Sequence, residues 1–161
     1  MTPDAVVERV EDVEPALLAR WGTRGIVLDL DNTIVPWNTA DVAPAVRAWV
    51  GAILAAAIGV CVLTNNYTRR ASGVAEMLGV PIIKGALKPS PIAFREALRR
   101  LSVPASRAAV VGDQLFTDVL GGKLLGMRAV LVKPLSDREF PTTRIVRWFE
   151  RPFRDRLRRD A

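Results

Sequence analysis

The chain of 161 residues has no histidine and a single cysteine. Without imidazole there can be no histidine general base, no phosphohistidine intermediate and no Ser-His-Asp triad. One cysteine permits no intrachain disulfide, which agrees with a reducing compartment. Cys61 lies within Val60-Cys61-Val62-Leu63, the apolar setting of an inert core thiol. A cysteine-dependent phosphatase loop would need an arginine six positions later, and Tyr67 stands there. No set of thiolates and imidazoles exists for structural zinc. No apolar run reaches the roughly 18–20 residues of a membrane span; the longest candidate, residues 42–62, is interrupted by Pro44, Arg47 and Gly59. The first residues carry Asp4, Glu8, Glu11, Asp12 and Glu14, the wrong charge for a signal peptide, so a cytoplasmic location is expected. Hydrolytic chemistry is thereby left to carboxylates, hydroxyls, lysine and a hard metal ion.

The length suits one domain spanning 1–161, with a core at about 22–135, an N-terminal extension at 1–21 and a basic tail at 142–161. Helix-like and strand-like segments alternate, which argues for a parallel sheet covered on both faces. Five strands are expected, at 26–30, 60–63, 81–83, 108–111 and 129–132. Helices are expected near 14–21, from Asp41 and Pro44 to about 57, at 68–78, at 90–101 with Ser90 as cap and Pro91 in the first turn, and at 118–125. The net charge of +6 is concentrated in the tail, where seven arginines follow from Arg144 onward. Ile145, Phe149, Phe153 and Leu157 recur among them at helical spacing. That pattern fits either an anionic membrane surface or a helix docked on the sheet, and Pro152 works against one unbroken helix.

Chemistry is concentrated in Ile26-Val27-Leu28-Asp29-Leu30-Asp31-Asn32-Thr33. An apolar strand runs into two carboxylates separated by one residue. Alternate side chains of an extended chain share a side, so Asp29 and Asp31 are expected to converge on one point. Two such charges repel unless a cation and a phosphate-bearing substrate compensate. Two other strands end in Thr64-Asn65-Asn66 and in Gly112-Asp113-Gln114-Leu115-Phe116-Thr117-Asp118, and Lys88-Pro89 follows the third strand. Ligands of open parallel sheets bind beyond the carboxyl ends of the strands, which puts these groups at one edge. Singly, each segment could be a turn, a helix cap or a solvated lysine.

Together they resemble the haloacid dehalogenase-like phosphohydrolase superfamily, whose four motifs occur here in order over residues 26–132. The closer resemblance is to the small YqeG-type branch of subclass IIIA, which includes phosphatidylglycerophosphate phosphatases. It rests on Asp29 through Asn38, with Pro36-Trp37, and on Gly112 through Asp118 followed by Gly121-Gly122. The resemblance implies a Rossmann-like three-layer α/β sandwich around the five-stranded parallel sheet, and a magnesium-dependent phosphomonoester phosphatase. It makes Asp29 the nucleophile, forming an aspartyl-phosphate, and Asp31 the proton donor and acceptor. It places Thr64, Asn65 and Lys88 on the phosphoryl group. The metal would be held by Asp29, Asp113, the Asp31 backbone carbonyl and Asp118, the last directly or through water.

Many relatives insert a cap domain after the first or second strand. The 33 positions from Asp31 to Thr64 and the 24 from Thr64 to Lys88 leave no room for one. An open site suits phosphate presented on something bulky, and with the basic tail this favours phosphatidylglycerophosphate or a similar anionic phospholipid, met peripherally at the inner face of the membrane. The alternatives are a soluble phosphorylated metabolite or phosphoprotein and, with the site groups all in place, the less favoured non-catalytic interaction module. Nucleic acid is a weak candidate, since no recognised binding module or aromatic stacking pattern accompanies the charge.

Overall fold

The computed structural model describes residues 2–136. The expected tail at 142–161 lies outside the described residues. Six parallel strands form one sheet: β1 (Ala5–Val7), β2 (Gly25–Leu28), β3 (Gly59–Leu63), β4 (Ile82–Ile83), β5 (Ala108–Gly112) and β6 (Arg128–Val132), in the order β1-β6-β5-β2-β3-β4. Helices α1 (Pro15–Arg20), α2 (Pro44–Ala55), α3 (Arg69–Leu78), α4 (Pro91–Leu101) and α5 (Leu120–Leu124) connect them.

The central strands are apolar throughout because a parallel sheet has both faces covered. The alternation of side chains splits them into two cores. Ile26, Leu28, Val60, Val62, Ala109 and Val111 pack with Leu18 of α1, Trp49 and Ile53 of α2, and Val74 and Leu78 of α3. Val27, Cys61, Leu63, Ala108 and Val110 face the other way, onto Phe94 and Leu98 of α4 and onto Val119 and Met127. Cys61 is fully buried, and burial pushes its thiol up to about 11, as an inert core thiol requires.

The sheet has one strand more than the five expected. Residues 5–7 pair in parallel with Val130, Leu131 and Val132 at the edge. Three residues among acidic neighbours are too short for a periodicity signal. The strand is fixed instead by Asp4, whose carboxylate accepts from Lys123, from Arg128 at 2.9 Å and from the Ala129 amide at 2.7 Å.

Two helix starts also differ. Ala43, not Asp41, is the residue before α2, because Pro44 at the first helical position sets the boundary. The segment expected as helix at 118–125 begins with a wide π-type turn over Leu115–Val119 and becomes α5 only at Leu120. Such turns are rare and concentrate at functional sites.

β2 lies between β3 and β5, where the strand order reverses: the chain proceeds from β2 to β3 and β4 on one side, and through β5 and β6 on the other. Crevices at such reversals are where α/β sheets bind ligands. Between β2 and β3 the described chain holds a 15-residue loop, 29–43, and α2, and between β3 and β4 it holds α3. No cap is inserted at either place.

Candidate active site

β2 stops at Leu28, and the Asp29 amide still donates to the Val111 carbonyl of β5 at 2.9 Å. That last ladder bond sets Asp29 at the strand end facing β5. β5 ends at Gly112, so Asp113 lies beside it, and the π-type turn brings Asp118 back over the strand end. One carboxylate oxygen from each of Asp29, Asp113 and Asp118 lies within 4.8 Å of the others, and all three residues are buried. Gly112 makes the approach possible: a Cβ there would stand 2.4 Å from Asp118 Cγ. The Asp118 carboxylate is held by the Gln114 amide at 3.2 Å.

Lys88 reaches this cluster from the loop after β4. Its Nζ donates to Asp29 Oδ1 at 2.5 Å and to Asp118 Oδ1 at 2.6 Å, and the side chain is buried. Burial alone would lower the ammonium, but Asp118 and Asp29 outweigh it and push the lysine up, so it stays charged. Burial raises Asp29 to about 7, with the Asp118 charge adding to the rise and Lys88 opposing it. The lysine is held in turn by its backbone amide, which donates to Asn65 Oδ1 at 2.8 Å.

Thr64 is buried at the end of β3. Its Oγ1 accepts from the Asn66 amide at 3.0 Å, which closes the turn that carries Asn65. Thr64 and Asn65 thus lie at the same sheet edge as the carboxylates, on the β3 side of β2. Thr33 was not among the expected site residues, yet it is buried and its Oγ1 donates to Asp29 Oδ2 at 3.2 Å. Its position four residues after Asp29 was visible in the motif; its contact was not.

Asp31 departs from the extended-strand expectation. The chain leaves strand geometry after Leu28, turns, and forms an isolated bridge between Asp31 and Val35, with Asn32 at a positive φ of 64°. The Asp31 carboxylate therefore does not join the other three. It accepts from Arg70 Nη2 at 2.6 Å through Oδ1 and from Asn66 Nδ2 at 3.1 Å through Oδ2. Arg70 was missed because nothing in its sequence context separates it from the other surface-type arginines of the chain.

Three carboxylates buried with their oxygens within 4.8 Å of one another repel, and a cation placed among them would offset that repulsion. Carboxylate oxygens alone make a hard donor set, suited to magnesium, calcium or manganese rather than to soft metals. The residues therefore fit a divalent ion.

Residues 86–135 match the family model for HAD-like hydrolases. The relative named "Probable phosphatase YqeG", from Bacillus subtilis, is 36% identical over 157 residues, covering 98% of this chain and 91% of its own. The chain belongs to the HAD-like phosphatases, in the YqeG-type family. More distant is the chloroplastic phosphatidylglycerophosphate phosphatase 1 of Chlamydomonas reinhardtii, 27% identical over 143 residues; the match covers 83% of this chain and 53% of that one. Among solved structures, the cobalt-bound deoxy-D-mannose-octulosonate 8-phosphate phosphatase of Haemophilus influenzae aligns with a TM-score of 0.52 at 16% identity, over 58% of this chain and 60% of that one. At that identity the likeness is one of fold. By family the chain is a phosphatase, and among the described residues no cap domain is inserted over the strand ends.

Proposed function

We propose that the protein is a magnesium-dependent phosphomonoesterase that forms an aspartyl-phosphate on Asp29 and acts on phosphatidylglycerophosphate or a similar anionic phospholipid. The observation that carries the chemistry is the convergence of Asp29, Asp113 and Asp118, with Lys88 paired to Asp29 and Asp118. Magnesium held by Asp29, Asp113 and Asp118 would supply positive charge against the phosphoryl oxygens and the nucleophile.

The chain's own groups then divide the work. An oxygen of Asp29 attacks phosphorus as the bond to the leaving oxygen breaks, and the Asp31 carboxyl gives its proton to that oxygen. Water then attacks the acyl phosphate, returning its proton to Asp31 and releasing inorganic phosphate with free Asp29. Lys88 and the Thr64 hydroxyl offset charge on the transferred group, and the Asn65 side chain holds the Lys88 loop in register. Thr33 fixes the rotation of the Asp29 carboxylate.

Three features support a lipid substrate. Among the described residues no cap covers the site. Tyr67, Leu87 and Ile92, in the loops after β3 and β4 and the first turn of α4, are 69%, 71% and 76% exposed, with Lys84 and Arg95 exposed among them. Exposed apolar side chains interleaved with cations suit an anionic bilayer surface. Leu135 and Ser136, which precede the basic tail in sequence, lie against the loop after β2: the Leu135 amide donates to the Asn32 carbonyl at 3.0 Å, and Ser136 Oγ donates to Asn32 Oδ1 at 2.7 Å.

The test is phosphate release from phosphatidylglycerophosphate in mixed micelles, with magnesium and then with EDTA, for wild type and Asp29→Asn. Release that needs both the metal and Asp29 supports the proposal. No release from lipid, beside metal-dependent cleavage of an aryl phosphate, retains the chemistry and rejects the lipid in favour of a soluble ester.

A further inference from the structure

The guanidinium of Arg70, in the first turn of α3, joins two segments far apart in sequence. Nη2 donates to Asp31 Oδ1 at 2.6 Å and Nη1 donates to the Thr39 carbonyl at 2.5 Å. Asp31 and Thr39 bracket the loop that leaves the end of β2, so one side chain ties both ends of that loop to the helix after β3. The pair is part-buried, with side-chain exposures of 14% and 18%. Arg70 Nε is buried without a hydrogen-bond acceptor among the described residues. A buried donor left unmet is a cost to the fold, so the side chain is placed to serve its two acceptors rather than to satisfy itself.

We infer that Arg70 is a positioning residue for proton transfer to the leaving group, acting through Asp31. The inference rests on the proposed role of Asp31 above. Arg70 holds Oδ1 and Asn66 Nδ2 donates to Oδ2 at 3.1 Å; each oxygen keeps a second lone pair, so the carboxyl can carry a proton while both contacts hold its orientation. The carboxyl plane is thus fixed by one donor on each oxygen. The two donors come from the loop after β3 and from the helix it leads into, both outside the carboxylate cluster. Misplacement of a reacting group by about an ångström can cost on the order of 100-fold in rate.

This role has a signature that general structural damage lacks. Protonation matters most for a poor leaving group, such as the alkoxide of an alkyl phosphate, and least for the stable phenolate of p-nitrophenyl phosphate. The experiment measures kcat/KM, which reports the phosphoryl-transfer step, for glycerol 3-phosphate and for p-nitrophenyl phosphate. The proteins are wild type, Arg70→Ala, Arg70→Lys and the exposed neighbour Arg69→Ala as control. In Arg70→Ala, the alkyl ester is expected to lose at least tenfold more than the aryl ester. Arg70→Lys, which keeps the charge but reaches only one of the two acceptors, is expected to show the same selective loss at smaller size. Arg69→Ala is expected to match wild type on both. Equal losses on both esters, or no loss on either, would overturn the inference; Arg70→Lys serves the same comparison should Arg70→Ala not fold. An active, folded Asp29→Asn would instead remove the underlying mechanism, so the two failures are distinguishable.

Discussion

Replacing Lys88 with methionine, which keeps the apolar stem and removes the ammonium, isolates the electrostatics of the site. At the cluster's largest separation of 4.8 Å, two unit charges repel by about 3–4 kcal/mol at an effective dielectric of about 20. Removing one partner of a buried ion pair costs about 3–5 kcal/mol for the same reason. Without metal, the Lys88→Met protein should therefore be about 3–5 kcal/mol less stable than wild type at pH 8. The loss has a pH dependence of defined sign. Burial already raises Asp29 to about 7 in the presence of Lys88, and deleting the cation raises it further. A raised carboxyl binds its proton more tightly in the folded state, so stability rises as pH falls through that range, by up to about 1.4 kcal/mol per unit. The deficit of the variant should shrink between pH 8 and pH 5. Urea unfolding followed by far-UV circular dichroism in EDTA at the two pH values reads both quantities. A deficit below about 1 kcal/mol at pH 8, or one that grows on acidification, would refute the view that Lys88 neutralises a charged cluster.

Magnesium at about 100 times its dissociation constant should stabilise wild type by about 2.7 kcal/mol, read as a rise in Tm, and Asp113→Asn should lose most of that rise. Gly121→Ala should cost about 1–3 kcal/mol by overpacking, despite the better helix propensity of alanine, because its Cβ would lie 2.3 Å from the fully buried Phe94 ring; urea midpoints check this. At Asp4, burial works upward on the carboxyl, but the bonds from Lys123, Ala129 and Arg128 outweigh it and hold it below its ordinary 3.8. That stability is present above the ordinary value and is lost as pH falls through the lowered one. Asp4→Asn should thus cost about 1–3 kcal/mol at pH 7 and progressively less as pH falls below 3.8, as measured by unfolding across that range.

The carboxylates of Asp29 and Asp113 were legible because each closes an apolar run, and parallel strands deliver their ends to one edge; Asp118 was legible only as the last residue of the motif that runs on from Asp113. Lys88 was legible only as one member of that set. What escaped depended on chain direction after the strand. Asp31 lies three residues past the end of β2, beyond its alternation, and the turn at Asn32 carries its carboxylate toward α3 instead. Its partner Arg70 lies 39 positions away in an Arg-Arg pair with no local signature. The edge strand of residues 5–7 was hidden for a related reason: Asp4 anchors it through contacts with residues 123–129, beyond the reach of any local window.

The central claim is that Asp29 carries the phosphoryl group, and it is tested most directly by trapping that species. Wild type and Asp29→Asn would be mixed with magnesium and a substrate labelled in its phosphate, quenched in acid within a turnover, and the labelled peptide identified. The account predicts a hydroxylamine-labile label on the peptide containing Asp29 in wild type and none in Asp29→Asn. Full turnover by Asp29→Asn, or a label on any other residue, would contradict it.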